Sequence, residues 1–260
     1  MSRVQPELFQ RFTLPPACRD RLERDGDWLV ERLRYVVRPR PKPKFHGVLD
    51  ARRILAPEGG ETTVVTRLRP DPRPGDEAIA VEVRHGLLPG TIIERATCTL
   101  SDDGRLRAGD FLRRFVTPDG VETRRERADL TAPIGPIPDA TYPEVVTPFL
   151  MRGQPRAART PKRSLYAWTN DRFISKVYTE VRGERQLSVP AGRFRCFEQW
   201  MYPDLNDWVA LGGVLTKLAK PFIPRYTTWY EADAPWRVVR FEGAYGPPGA
   251  PEVILELAEP

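Results

Sequence analysis

Three acidic residues fall on apolar faces of predicted strands, and they are the first candidates for chemistry. Glu94 lies in "TIIERATCTL", Glu198 in "RFRCFEQWMY" and Asp110 in "RLRAGDFLRRFV". A carboxylate on an apolar face must find a partner, or its pKa rises. One interpretation is a catalytic acid or base, or a group that orients a ligand. The other is a buried ion pair with an arginine such as Arg114 or Arg240.

Aromatic side chains gather around Glu198 in the stretch "VPAGRFRCFEQWMYPD". Tryptophan and tyrosine combine a large apolar surface with one polar group, which suits a cavity for an apolar ligand with a few directional contacts. A large aromatic core is the alternative. The residues predicted to bind such a ligand are Phe194, Glu198, Trp200, Tyr202, Trp208 and Trp229.

Metal, cofactor and nucleophile signatures are missing from the sequence. His46 and His85 are the two histidines, and neither belongs to an HxH or HExxH motif. No CxxC pair, G-x-S-x-G elbow or glycine-rich phosphate loop occurs. Cys98 and Cys196 share predicted strand faces with apolar neighbours, which favours packing over a Cys–His nucleophile. The sequence therefore predicts no metal and no cofactor.

Short β-strands dominate the predicted structure. The 28 prolines argue against a helical bundle. Period-two segments separated by turn signals predict hairpins and an antiparallel sheet. These segments are "FHGVLDARRIL", "TTVVTRLRP", "EAIAVEVRHG", "TIIERATCTL", "RLRAGDFLRRFV", "GVETRRERADL", "SLYAWTN", "RFISKVYTEV", "ERQLSV", "GRFRCFEQWMY", "RYTTWYEA", "WRVVRFEGAY" and "EVILELAE".

Two helices are predicted beside these strands. Residues 15–38 carry leucines near a 3.6-residue period, and a proline-rich basic connector follows at 39–45. A second helix is predicted at 205–219, where the pair Gly212-Gly213 indicates a close approach or a bend. The whole chain, 1–260, is then one α+β, β-rich domain. Its large curved antiparallel sheet forms a half-barrel or open barrel, and both helices pack on it.

The C-terminal third, residues 181–259, carries a resemblance. The order is a strand, the turn "VPAG", a strand, an insert, and then "RYTTWYEADAPWRVVRFEGAYGPPGAPEVILELAE". This pattern resembles an uncharacterised bacterial half-barrel family, similar in outline to the LolA and LolB lipoprotein carriers. The resemblance implies a half-barrel with a hydrophobic concave face. It implies no catalytic residue.

The predicted function is the binding of a hydrophobic small molecule, lipid or acyl chain in the concave face of the sheet. The 205–219 helix would serve as plug or lid, and Glu198 would orient a polar head group. The alternative is a cavity-type enzyme, such as an isomerase, cyclase or hydratase. It would use Glu198, Glu94 or Asp110 as acid or base.

The net charge and the hydropathy limit which partners and which cellular location are expected. The net charge of +6 includes two basic segments that could meet an anionic surface. A nucleic-acid partner is not expected, because no recognition motif accompanies those segments. No apolar run spans a bilayer or forms a secretory signal, so the expected location is cytoplasmic, or exported if a leader precedes this sequence. The basic residues concerned are Arg38, Arg40, Lys42, Arg152, Arg156 and Arg159.

Overall fold

The described part of the chain is built mainly from β-strands. The structure is a computed structural model that describes residues 4–41, 54–56, 59–130, 138–157, 160–170, 173–204, 225–244 and 251–259. Within these ranges the helices are α1 (Pro16–Arg19) and α2 (Thr147–Leu150). The strands are β1 (Phe9–Gln10), β2 (Glu23–Asp25), β3 (Trp28–Pro39), β4 (Gly60–Leu68), β5 (Glu77–Leu87), β6 (Gly90–Leu100), β7 (Arg105–Val116), β8 (Glu122–Asp129), β9 (Thr141–Pro143), β10 (Arg163–Asn170), β11 (Phe173–Val189), β12 (Gly192–Pro203), β13 (Tyr226–Glu231), β14 (Val238–Ala244) and β15 (Glu252–Glu259).

These strands form one curved sheet that does not close. Its order is β1-β7-β6-β5-β4-β3-β15-β14-β13-β12-β11-β10-β9, with β2 pairing with β3 and β8 pairing with β7. The pairings between named strands are antiparallel, apart from the parallel pairing of β9 with β10. Hairpins between consecutive strands account for most of this order. The prediction of a β-rich fold with a large curved antiparallel sheet is confirmed.

The predicted helix at 15–38 is wrong. Only the four residues of α1 are helical, and β3 occupies the second half of the segment. Leu29 and Leu33 are four residues apart, which fits one face of a helix and equally one face of a strand. The strand prevails because β3 gains hydrogen-bonded neighbours on both sides, β4 and β15. Gly26, with φ near +58°, forms the turn of the β2–β3 hairpin.

Further predicted elements fall wholly or partly outside the described residues. The helix at 205–219 lies outside them, as do residues 42–45 of the connector predicted at 39–45 and residues 45–53 of the predicted strand "FHGVLDARRIL". Pro39, the first residue of that connector, is the last residue of β3.

The "VPAG" turn is confirmed as the loop between β11 and β12. Val189 pairs with Gly192, which leaves Pro190 and Ala191 as a two-residue connection. Gly192 has φ near +130°, a value that glycine adopts without the steric cost of a side chain. The strands that the C-terminal resemblance implied are the second half of β11 and β12 to β15.

The N-terminal segment links the two open edges of the sheet. Phe9 pairs with Leu106 of β7, and Pro6 forms a parallel bridge with Ser164 of β10. Tyr142, which is fully buried, completes the link: its hydroxyl accepts a hydrogen bond of 3.0 Å from the Phe9 N–H and donates to the carbonyl of Leu106. The hydroxyl of Tyr142 is thus hydrogen-bonded to a backbone N–H of β1 and to a backbone carbonyl of β7.

We expect Tyr142→Phe to lower the free energy of unfolding by about 2 kcal/mol, because it leaves two buried backbone groups without this partner. Chemical denaturation measures the change. Tyr166→Phe is the matched control, since the described residues provide no hydrogen bond to the hydroxyl of Tyr166. Equal effects of the two substitutions would contradict the linking role of Tyr142.

Candidate functional site

A cavity opens on the inner face of the sheet, which we define as the face that carries the large buried cluster of Val37, Val83, Phe111 and Leu255. Strands β5 and β7 form one wall, and β12 to β15 form another. The segment that contains α2 covers the space between them. The lining residues are His85, Arg113, Glu144, Val145, Pro148, Phe149, Met201, Tyr226, Phe241, Ala244 and Leu255.

The cavity is narrow. It contains about 570 Å³ of space free of protein atoms, mouth included, but only about 50 Å³ can hold the centre of a water-sized molecule. Most of the space therefore lies close to a wall. Because Met201, Phe241 and Leu255 supply much of that wall, its shape and chemistry suit a thin apolar group.

A buried polar cluster lies at the β5–β7 wall. His85 Nδ1 is 3.1 Å from the hydroxyl of Thr62, and its Nε2 is 3.5 Å from Glu94 Oε2. Arg113 Nε donates a hydrogen bond of 2.6 Å to Glu94 Oε1, while Arg113 Nη1 reaches Glu126 at 3.2 Å. Adjacent strands supply these residues in the order β4, β5, β6, β7 and β8. The sheet register therefore fixes the cluster, and His85 and Arg113 present it to the cavity.

Glu94 confirms the prediction of a buried carboxylate on an apolar face. Burial alone would raise its pKa. The hydrogen bond with His85 and the neighbouring charge of Arg113 outweigh burial, so the pKa lies below its ordinary value of 4.5. Glu94 is therefore ionised at neutral pH and holds both His85 and Arg113 in place.

We expect Glu94 to contribute a pH-dependent share of stability. Its pKa is depressed in the folded state, so this share is complete above about pH 4.5 and is lost as the pH falls through the folded value. Unfolding free energy measured against pH should fall more steeply in acid for the wild type than for Glu94→Gln. The exposed Glu23→Gln serves as control and should follow the wild type. Parallel curves for Glu94→Gln and the wild type would contradict this.

A second polar pair lies at the opposite wall. Tyr226 is buried and hydrogen-bonds Glu144, and both residues line the cavity. Burial, followed by the charge of Glu144, raises the pKa of Tyr226 well above its ordinary value. The phenol therefore stays protonated at neutral pH and donates its proton to Glu144, while its oxygen can still accept a hydrogen bond.

Glu198 lies on the outer face, opposite the cavity. It is buried, accepts a hydrogen bond of 2.6 Å from Trp200 Nε1, and forms an ion pair with Arg185 at 2.6 Å. Arg240, which the sequence suggested as a partner of Glu198, pairs instead with Glu242 and Glu256. Of the two interpretations of Glu198, this geometry favours the structural ion pair.

The predicted aromatic residues of β12 and β13 also lie away from the cavity. Phe194 and Trp229 pack in a small separate cluster with Cys196 and Val239. Trp200 lies between Arg182 and Arg225, whose guanidinium carbons are 4.2 and 3.8 Å from the ring centre. The hydroxyl of Tyr202 donates to Glu180 at 3.1 Å. Trp208 lies outside the described residues. A ligand-binding role for this group stays a prediction.

Asp110 is exposed, so its predicted position on an apolar face is wrong. Its carboxylate meets Arg127 at 3.2 Å, with about half of the Asp110 side chain open to solvent. The register between β6 and β7 shifts after Cys98–Ala108, and this bulge reverses the alternation before Phe111. Asp110 therefore points away from Glu94 and from the cavity.

The cysteines confirm the packing interpretation. Cys98 and Cys196 are buried and free. Burial raises the pKa of each to about 12. Neither thiol ionises appreciably at neutral pH, so neither is an activated nucleophile. Within the described ranges, no group of three or more histidine, cysteine or acidic side chains could hold a metal ion.

Sequence reasoning missed His85, Arg113, Met201 and Tyr226 as site residues. A signal existed for His85, since it continues the buried alternation of Val81 and Val83 along β5. Met201 and Tyr226 gave no comparable signal, because both faces of β12 and β13 carry large apolar side chains. The alternation of side chains along β12 and β13 separates the two faces of the sheet, but it does not indicate which face lines the cavity.

Most of the described basic residues that were predicted to meet an anionic surface make contacts within the protein instead. Arg152 has 1% of its side chain exposed and pairs with Glu31, so its guanidinium does not face an external surface. Arg156 lies over the ring of Tyr230 at 3.8 Å. Arg40 pairs with Glu242 and Glu252. Arg38 keeps 56% of its side chain exposed. Lys42 and Arg159 lie outside the described residues.

The solved structures that match this chain include two distant neighbours. One is a protein from Bacteroides fragilis described as exported, with a YmcC-like fold: TM-score 0.29, 12% identity, 97% of each chain covered. The other, from Parabacteroides distasonis, is described as a lipoprotein: TM-score 0.27, 10% identity, 87% of this chain and 94% of that chain covered. These TM-scores are too low to carry an argument. No family model and no curated protein matches the sequence.

The curved, unclosed sheet agrees with the outline that the C-terminal resemblance implied. The relation to the LolA and LolB carriers themselves stays a prediction, as does the cytoplasmic location. None of the helices in the described ranges is long and apolar enough to cross a membrane.

Proposed function

We propose that this protein binds a hydrophobic small molecule, lipid or acyl chain in the inner-face cavity. The observation that carries the proposal is the composition of the lining. Apolar walls from Met201, Phe241 and Leu255 enclose a narrow space that has polar groups at its two sides, His85 and Tyr226. Ligand pockets commonly combine apolar walls with a few fixed polar groups.

The width of the cavity favours an unbranched chain over a ring system. Only a small part of its volume is wide enough for the centre of a water-sized molecule. Each methylene group that leaves water for such a wall stabilises the complex by about 0.8 kcal/mol. The phenol oxygen of Tyr226, whose proton is donated to Glu144, would accept a hydrogen bond from a hydroxyl group at the polar end of the ligand.

A chain-length series tests the proposal. A fluorescent probe with an unbranched alkyl chain is bound to the purified protein and displaced by alcohols of increasing chain length. We expect the affinity to rise about fourfold with each methylene and to level off once the cavity is full. Absence of probe binding, or affinities that do not depend on chain length, would refute the proposal.

A second candidate function is acid–base catalysis in the same cavity. Its support is the hydrogen-bonded pair of Glu94 and His85, since a carboxylate that orients an imidazole beside a pocket is a common catalytic arrangement. Liquid chromatography coupled to mass spectrometry of a bound ligand before and after incubation separates the two functions. Recovery of the ligand with unchanged mass and retention time supports a binder. A change in mass or in retention time that disappears in His85→Gln, while binding persists, supports an enzyme.

A further inference from the structure

A second, smaller crevice lies beneath the segment that joins α2 to β10. It shares no lining residue with the cavity. Polar side chains contribute from both sides: Gln154 and Thr160 from the segment, and Arg163, Thr179 and Gln199 from β10, β11 and β12. None of the residues that line this crevice is acidic.

Arg163 lines this crevice, and Arg156 lies beside it with its guanidinium over the ring of Tyr230. Neither arginine forms an ion pair with a carboxylate of the described residues. Arg163 Nη1 donates to Gln154 Oε1 at 2.8 Å. Arg156 Nε donates to Gln199 Oε1 at 3.2 Å, and its Nη1 donates to the carbonyl of Gln154 at 3.3 Å. The buried arginines Arg113 and Arg152 each pair with a glutamate. A partly buried positive charge without such a partner is costly.

The remaining polar groups of the crevice also offer donors. The side-chain oxygen of Gln199 already accepts from Arg156, which leaves its amide N–H groups to donate elsewhere. Thr160 Oγ1 accepts a hydrogen bond from the Ala157 N–H, so its hydroxyl proton is available. Burial lowers the pKa of Arg156 to about 10, and the nearby charge of Arg152 acts in the same direction. Within the described residues, the amide N–H groups of Gln199 and the hydroxyl proton of Thr160 thus stay available beside the positive charge of Arg163.

The crevice is the size of one small ion. About 300 Å³ is free of protein atoms, mouth included, and about 10 Å³ can hold the centre of a water-sized sphere. That is close to the room that a single water molecule requires. The space has room for one group of about the size of a water molecule, so a monatomic anion such as chloride matches it better than a larger polyatomic anion.

We propose that Arg163, Gln199 and Thr160 form a binding site for a small monovalent anion of chloride size, to which Arg156 adds positive charge. Occupation of the site would offset the charge of the two arginines and fasten the α2–β10 segment to the sheet. This site is independent of the function proposed for the cavity.

Thermal unfolding in chloride tests the site. Chloride replaces gluconate at constant ionic strength, so that general screening stays fixed. We expect the Tm of the wild type to rise by about 3 °C for each tenfold increase in chloride above the dissociation constant. Arg163→Gln should abolish this rise. Arg193→Gln removes an exposed arginine of β12 that also lacks a carboxylate partner in the described residues, and it should preserve the rise.

Two results would overturn the proposal: a wild-type Tm that does not respond to chloride, or a response that Arg163→Gln retains. If Arg163→Gln does not fold, wild-type crystals soaked in bromide decide the question. An anomalous peak beside Arg163 supports the site, and a crevice without a peak at saturating bromide refutes it.

Discussion

Glu31→Leu should lower the free energy of unfolding by about 3–5 kcal/mol, one of the two largest effects we expect from a single substitution. Glu31 and Arg152 form a two-pronged ion pair on the inner face, with 7% and 1% of their side chains exposed. Arg152 Nη2 donates to Glu31 Oε1 at 3.1 Å and to the carbonyl of Pro235 at 2.7 Å, and Nη1 donates to Glu31 Oε2. Removing Glu31 leaves a buried guanidinium without its counter-charge.

Urea unfolding of the wild type and four variants checks this expectation. Arg152→Met should destabilise about as much as Glu31→Leu, because it leaves the carboxylate unpaired. The double variant should recover most of the loss, since a buried pair and an apolar replacement of similar volume are often close in stability. Glu23→Gln is the control: its pair with Arg32 is 59% exposed on both sides and should matter by less than about 1 kcal/mol. If Glu31→Leu were as mild as Glu23→Gln, the pair would not have the structural role assigned to it.

Ala244→Phe should reduce the affinity for an unbranched alkyl probe by at least about tenfold. Ala244 lines the cavity, and a phenyl ring there would occupy space equivalent to at least two methylenes of the ligand, about 1.6 kcal/mol of binding. Fluorescence titration measures the change. Ala17→Phe adds the same ring at an exposed position of α1 and should leave binding unchanged. Unchanged binding in both variants would place the ligand outside the cavity.

The strands of this fold were largely predictable, whereas the face of each strand that lines the cavity was not. Alternation along β5, β6 and β7 indicated strands because each has neighbours on both sides and one strongly apolar face. The prediction of a helix failed in the segment of β3 because the spacing of Leu29 and Leu33 fits both the helical and the strand period. Only the pairing of this segment with β4 and β15 decides between helix and strand. Non-local pairing of this kind is not encoded in a single segment.

The site was predictable only in part, for related reasons. Glu94 was found because a carboxylate among Ala96 and Cys98 breaks an apolar pattern. Its partners His85 and Arg113 depend on the registers β5–β6 and β6–β7, which the sequence does not reveal. Arg152 lies in a segment rich in basic residues and proline, where a solvated loop is the ordinary expectation, and only the distant Glu31 explains its burial.

The central claim, that an apolar chain occupies the inner-face cavity, can be tested at two methionines. Met201 lines the cavity, whereas Met151 lines the separate crevice beneath the α2–β10 segment. With carbon-13 in the methionine methyl groups, NMR spectra are recorded as an unbranched alkyl alcohol is added. We predict that the Met201 methyl signal shifts to saturation while the Met151 signal stays in place. A Met201 signal that does not move while the alcohol binds would contradict the claim.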